Sequence, residues 1–111
     1  RDRYDRIYMR NADPAKAQYE FAGFIVTPLA DTSGYAGQQA FSRQAGDEFV
    51  VILCGGDDGA NNIGGLCQRE MPWGDRLTVV YAFRGGHLNN WAELDAGVKA
   101  LIKGLEAKPA A

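Results

Sequence analysis

Residues 49–53 read FVVIL and are apolar at every position, which constrains the fold more than any other stretch of this chain. A short apolar run of this kind is typical of a strand that is covered on both faces. The residues just before it include AGD, a short turn that contains glycine, so residues 40–44 and 48–54 are predicted to form a hairpin. The run therefore predicts a central strand of an antiparallel sheet.

Three further strands are predicted from the same kinds of pattern. Residues 24–29 read FIVTPL, and Pro28 limits this strand to an edge or to a strand end. Residues 66–72 precede the turn-forming dipeptide GD, and residues 76–84 alternate between two faces as a half-buried strand does. These two segments are predicted to form a second hairpin.

Two helices are predicted, one near each end of the chain. Asp13 and Pro14 are typical of a helix start and Gly23 of a helix end, so we expect a short helix over residues 14–22. Over residues 91–106 the apolar side chains recur at helical spacing. This pattern predicts a C-terminal helix that packs on one face of the sheet.

The expected fold class is α+β, in a single domain over residues 1–111: a mostly antiparallel sheet of about four to five strands with these two helices. Residues 1–12 and 107–111 are expected to be frayed or edge segments. The formal net charge is −2, which gives no positive field to attract nucleic acid. No apolar stretch approaches the roughly 18 residues of a membrane-spanning helix.

The stretch CGGDDGANNIGGLC, residues 54–67, is the most unusual part of the sequence. Asp57 and Asp58 would repel a phosphate, and their adjacent placement does not match a calcium loop. The two cysteines lack zinc-ligand spacing, so no metal or cofactor is expected. If Cys54 ends one strand and Cys67 begins its neighbour, a disulfide closes a ring of roughly 14 residues that stabilises the fold by about 3 kcal/mol. Such a bond indicates an oxidising compartment, such as the periplasm.

Aromatic and arginine side chains give the strongest functional indication, because these residue types anchor protein interfaces. The candidates for partner binding lie in loops and on the second hairpin: Tyr35, Trp73, Arg69, Arg76, Arg84, Asp57 and Asp58. We therefore expect a small, exported, non-enzymatic protein that recognises another protein at the cell envelope, as an inhibitor, an immunity-type protein or a lipoprotein-like accessory protein. The first residue is Arg1 rather than Met, which would fit a chain whose leader has been removed.

Two alternatives stay open at this stage. His87 is the only histidine and could act as a general base with an acidic partner in a small hydrolase, with Ser33, Ser42 and Asp75 as further candidate residues. No nucleophile signature marks any of these residues. The other alternative is a structural module that forms homo-oligomers through an edge strand or through the Trp73 turn.

Overall fold

The computed structural model describes residues 4–30, 38–55, 65–74 and 77–107. They form one antiparallel sheet of six strands, in which each strand pairs with its neighbour in the chain. The strands are β1 (Tyr19–Phe21), β2 (Phe24–Pro28), β3 (Gln39–Ala45), β4 (Glu48–Cys54), β5 (Leu66–Trp73) and β6 (Leu77–Arg84). A π-helical segment, Tyr4–Met9, precedes the sheet, and a 3-10 segment, Gly85–Asn90, leads into helix α1, Trp91–Ala107. The α+β class, the antiparallel sheet and the C-terminal helix are confirmed.

The helix predicted over residues 14–22 is wrong. Asp13 does start a turn, in which its Oδ1 accepts a hydrogen bond of 2.9 Å from the backbone N–H of Ala15. The chain then leaves the helical path and forms β1. Ala22 and Gly23 both have positive φ angles, 53° and 83°, as the two central residues of a type I′ hairpin turn do. Gly23 therefore ends a strand, not a helix, and β1 raises the strand count to six, above the four to five predicted.

Helix α1 and the 3-10 segment cover one face of the sheet, where the main core lies. Its buried members are Phe24, Val26, Phe41, Val50, Ile52, Cys54, Cys67, Phe83, Leu88 and Trp91. A smaller cluster lies on the other face, where Tyr8 packs near Leu29 and Ala40. β4 is therefore covered on both faces, as the sequence predicted. Val50 and Ile52 point into the main core, and Val51 and Leu53 pack against the smaller cluster.

Only the first half of α1 contacts the sheet closely. Trp91 and Asp95 are buried, and Leu94 packs against the main core. Leu101 and Leu105, which belong to the same apolar stripe in the sequence, are 66% and 61% exposed. The apolar stripe of α1 therefore extends beyond the part of the sheet against which the helix packs.

The predicted disulfide between Cys54 and Cys67 is confirmed. The two residues lie directly opposite each other on β4 and β5, with their Cα atoms 3.9 Å apart. The N–H of Gly55 donates to the carbonyl of Leu66 at 2.7 Å, so the cysteines occupy the adjoining non-hydrogen-bonded pair, where opposite side chains are closest. Both cysteines are fully buried in the main core.

Candidate functional site

One edge of the sheet is formed by β6, and no described residue pairs with the outer side of that strand. The N–H of Gly85 donates to the carbonyl of Gly65 at 2.9 Å, directly after the pair Leu66 and Arg84. In an antiparallel ladder the direction of the backbone groups alternates from residue to residue. The N–H and C=O groups that point away from β5 are therefore those of Thr78, Val80, Ala82 and Arg84. We call these four residues the β6 edge.

No strand of the described part of the chain covers the β6 edge, which carries few of the features that usually protect an edge strand. All four of its residues are exposed, and Val80 is 50% exposed. β6 is eight residues long and pairs with β5 without a bulge, whereas the opposite edge strand, β1, has three residues. Lysine, proline and bulges are the usual means of blocking strand addition, and β6 contains no lysine and no proline. The described residues therefore leave the outward backbone groups of this edge without a strand partner.

A buried polar network links the sheet to α1. Arg69 on β5 is 1% exposed, and its Nε donates to Asp95 Oδ1 at 2.9 Å while its Nη2 donates to Glu48 Oε2 at 2.8 Å. Lys99 Nζ donates to Glu48 Oε1 at 3.0 Å and lies 3.2 Å from Asp95 Oδ2. Tyr81 donates its hydroxyl proton to Asp95 and accepts a hydrogen bond of 3.2 Å from Trp91 Nε1. Two cations thus meet two carboxylates, and the network is neutral.

The charged groups of the network shift one another's pKa values. Burial alone would raise the pKa of Asp95, but hydrogen bonds from Arg69 and Tyr81 outweigh it and hold this pKa below its ordinary value. The pKa of Glu48 is lowered in the same way, against burial, by Arg69 and Lys99. Burial, and then the hydrogen bond to Asp95, raise the pKa of Tyr81 well above its ordinary value. Both carboxylates of the network are therefore ionised at neutral pH.

Two arginines approach the ring of Trp91 from strands on either side of β4. The guanidinium carbons of Arg43 on β3 and of Arg69 on β5 are each 5.3 Å from the centre of the Trp91 ring. Arg43 also lies 5.2 Å from the centre of the Phe24 ring, which meets Trp91 edge to face. Both arginines make cation–π contacts, which suit the planar, weakly hydrated guanidinium group.

The candidate partner-binding residues from the sequence lie at different places in the fold. Tyr35, Arg76, Asp57 and Asp58 lie outside the described residues. Trp73 is partly buried at the end of β5, opposite Leu77, and Arg84 is exposed at the end of β6. Arg69 lies inside the fold, where its guanidinium group is held by two carboxylates, so it has no surface to offer a partner.

The residues of the hydrolase alternative are not brought together in the described part of the chain. His87 is exposed in the 3-10 segment between β6 and α1. Ser42 is buried on the face of β3 that points away from the main core, where its hydroxyl donates to the carbonyl of Ile25 at 3.4 Å. Ser33 and Asp75 lie outside the described residues. Among those that are described, no three His, Cys, Asp or Glu side chains come together in a way that could hold a metal.

Of the six residues of the polar network, sequence reasoning identified only Arg69 as a functional candidate, and it also missed Arg43. Arg69 contacts Glu48 across 21 residues of sequence and Asp95 across 26, so no local motif contains these pairs. A signal was nevertheless present. Arg69 alternates with Cys67 and Met71 on the buried side of β5, and Asp95 follows Trp91 by one helical turn, on the side of α1 that packs on the sheet. A charge at each of two buried positions predicts that they pair.

None of the helices in the described part of the chain is long and apolar enough to cross a membrane.

No protein-family model, curated protein or solved structure matches this chain.

Proposed function

We propose that this protein is a small, non-enzymatic binding protein of an extracytoplasmic compartment, which recognises another protein by adding one of that protein's extended segments to the β6 edge. The observation that carries the proposal is the open outer side of this eight-residue strand, with four residues whose backbone groups point outward. Strand addition of this kind takes its affinity from main-chain hydrogen bonds and its specificity from alternate side chains.

The side chains of the β6 edge define the partner segment. Thr78, Val80 and Ala82 are small or apolar and carry no charge, whereas Arg84 carries a positive charge at the end of the row. A side chain opposite an arginine on a neighbouring strand is favourable when it is acidic. The partner segment should therefore be uncharged and apolar in its centre and acidic beside Arg84.

The compartment is proposed from the disulfide. Cys54 and Cys67 are bonded, and such bonds persist mainly in oxidising environments such as the periplasm or the cell exterior. An inhibitor of a secreted enzyme, an immunity-type protein and an accessory protein of the envelope are the roles that combine this location with recognition of a protein. Counting thiols on protein unfolded without reductant would test the location, and two reactive thiols in material from its native compartment would contradict it.

Photo-crosslinking tests the proposed edge directly. A photoreactive amino acid at position 82 should capture one extended-segment partner from the native compartment, and the same group at the exposed Lys103 of α1 should not. Ala82→Pro should weaken binding of the captured protein by roughly fivefold or more, because its N–H points outward and a lost main-chain hydrogen bond is worth about 1 kcal/mol. Retained β structure in the circular dichroism spectrum would show that the variant still folds.

Two outcomes would overturn this assignment. Equal binding by the native protein and by Ala82→Pro would show that the partner binds elsewhere. If position 82 crosslinks to a second copy and sizing chromatography shows a stable dimer, the edge serves self-association and the structural-module alternative replaces the proposal.

A further inference from the structure

Arg43 and Arg69 both contact the ring of Trp91, but only Arg69 forms ion pairs within the described residues. Arg69 is held by Asp95 and Glu48 at 2.9 and 2.8 Å. Arg43 has no hydrogen-bond or ion-pair partner within the described residues, although its guanidinium group is fixed between the rings of Phe24 and Trp91 at similar distances. A guanidinium group has five N–H donors, and aromatic faces satisfy none of its in-plane directions.

Among the described side chains on this face of the sheet, Arg43 is the cation without a neutralising carboxylate. Arg69 and Lys99 are neutralised by Glu48 and Asp95 within the polar network. Arg43 is partly exposed, so an anion can approach its donors from solvent. Gly23 lies beside this guanidinium group, since a Cβ placed there would be 3.5 Å from Arg43 Nη1, in ordinary van der Waals contact.

We propose that Arg43 is a carboxylate-binding anchor, which takes an Asp or Glu side chain of a partner protein into a hydrogen-bonded pair like that of Arg69 with Asp95. The planar guanidinium group matches the two oxygens of a carboxylate, and its stacking on two rings holds it ready before the ligand arrives. A single uncompensated positive charge suits a carboxylate better than a phosphate dianion. The proposal rests on the proposed function only in taking the ligand from a protein, since it does not involve the β6 edge.

The experiment is an NMR titration that observes the Nε–Hε signal of Arg43 and the Nε1–Hε1 signal of Trp91. The probe is a short blocked peptide of glutamates, and the matched control is a glutamine peptide of the same length. The expected result is a saturable shift of both signals in the millimolar range with the glutamate peptide and none with the glutamine peptide. Because no partner protein is needed, this test can fail while the β6 edge assignment holds, and the reverse is also true.

Variants separate an anchor from general charge attraction. Arg43→Gln should weaken peptide binding by about tenfold or more, and Arg43→Lys should restore it only in part, because lysine lacks the planar fork. Lys103→Gln removes an exposed positive charge of α1 and should leave binding unchanged. Melting temperatures of the variants would show whether each one is folded.

Several results would overturn the proposal. One is that the glutamate peptide causes no saturable shift of either signal. A second is that Arg43→Gln binds the peptide as well as the native protein does, or that Lys103→Gln loses as much peptide binding as Arg43→Gln. A third is that inorganic phosphate binds more tightly than the peptide. A strongly shifted, slowly exchanging Arg43 Nε–Hε proton before any peptide is added would also overturn it, since a carboxylate of the same chain would then occupy the anchor.

Discussion

Arg69 is the side chain whose surroundings depend most on correct assembly. It is 1% exposed, so its charge is out of contact with water, and its donors are satisfied by carboxylates from β4 and from α1. A buried ion pair adds little net stability compared with apolar residues, but removing one partner leaves an uncompensated charge behind. Other placements of α1 would leave Arg69 without Asp95, so we expect the pair to favour the observed placement of the helix.

Arg69→Met should reduce the free energy of unfolding by about 3–5 kcal/mol, because Asp95 keeps its burial and loses its main cation. The double variant Arg69→Met with Asp95→Asn should be more stable than the single variant, since the remaining charge is then removed. Urea unfolding of the native protein, both single variants and the double variant measures this coupling. Strictly additive effects of the two single changes would contradict it.

At the scale of the elements, α1 consists of a packed half and an exposed half. Trp91 is 3% exposed and contacts Phe24, Tyr81 and both arginines, whereas Leu105, four turns along the same helix, is 61% exposed. The contacts that hold the helix on the sheet are thus made by its first half, residues 91–99. Residues beyond Lys99 extend the helix without a matching surface in the described part of the sheet.

Trp91→Ala should cost about 3–5 kcal/mol of stability, as truncation of a buried aromatic side chain usually does. Leu105→Ala removes an apolar side chain from the same helix, yet it should change stability by about 0.5 kcal/mol at most because little of that side chain is buried. Denaturant midpoints of the two variants provide the comparison. A large loss of stability in Leu105→Ala would show that the second half of α1 packs against something.

The elements with continuous or alternating apolar patterns could be predicted from the sequence. The apolar run at residues 49–53 predicted β4 with the correct bounds, Glu48–Cys54. The two cysteines at strand ends predicted the disulfide. Each of these signals lies within one short segment of the chain. β1 was missed because a three-residue strand is too short to show alternation, and because Asp13 and Pro14 are as typical of a turn as of a helix start. The Ala22–Gly23 turn requires positive φ angles that sequence periodicity does not report.

The candidate sites were harder to predict than the strands for a physical reason. The polar network includes three contacts between residues 21, 26 and 51 positions apart in the chain. Only the register of the strands and the docking of α1 bring these residues together. An arginine on a strand is buried when its side chain points to the covered face of the sheet and exposed when it points to the other face. Arg69 and Arg84 belong to neighbouring strands and lie in opposite environments.

For the whole molecule, the polar network predicts a loss of stability in acid. The pKa values of Asp95 and Glu48 are lower in the folded state than their ordinary values. A group with a lowered folded pKa contributes stability above its unfolded pKa, and this contribution disappears as the pH falls through the folded value. Stability should therefore hold from neutral pH down to about 4 and then fall steeply.

Glu48→Gln should flatten this acid transition and lower the stability at neutral pH, since one of the two titrating carboxylates is gone. Glu20→Gln, which changes an exposed carboxylate on β1, should leave the profile as it is in the native protein. Thermal melts between neutral pH and pH about 3 would show the difference. Identical profiles for the native protein and Glu48→Gln would contradict a role of this carboxylate.

The chain-order arrangement of the sheet has a consequence for how the molecule forms. Because each strand pairs with the one made just before it, β1 to β6 can pair one after another as the chain is synthesised from its N-terminus. Helix α1 follows all six strands in the chain, so Asp95 can reach Arg69 only after the strands have been made. Until that moment Arg69 remains hydrated on an uncovered sheet. Keeping α1 away from the sheet would thus leave the polar network unformed, and its docking would complete the fold.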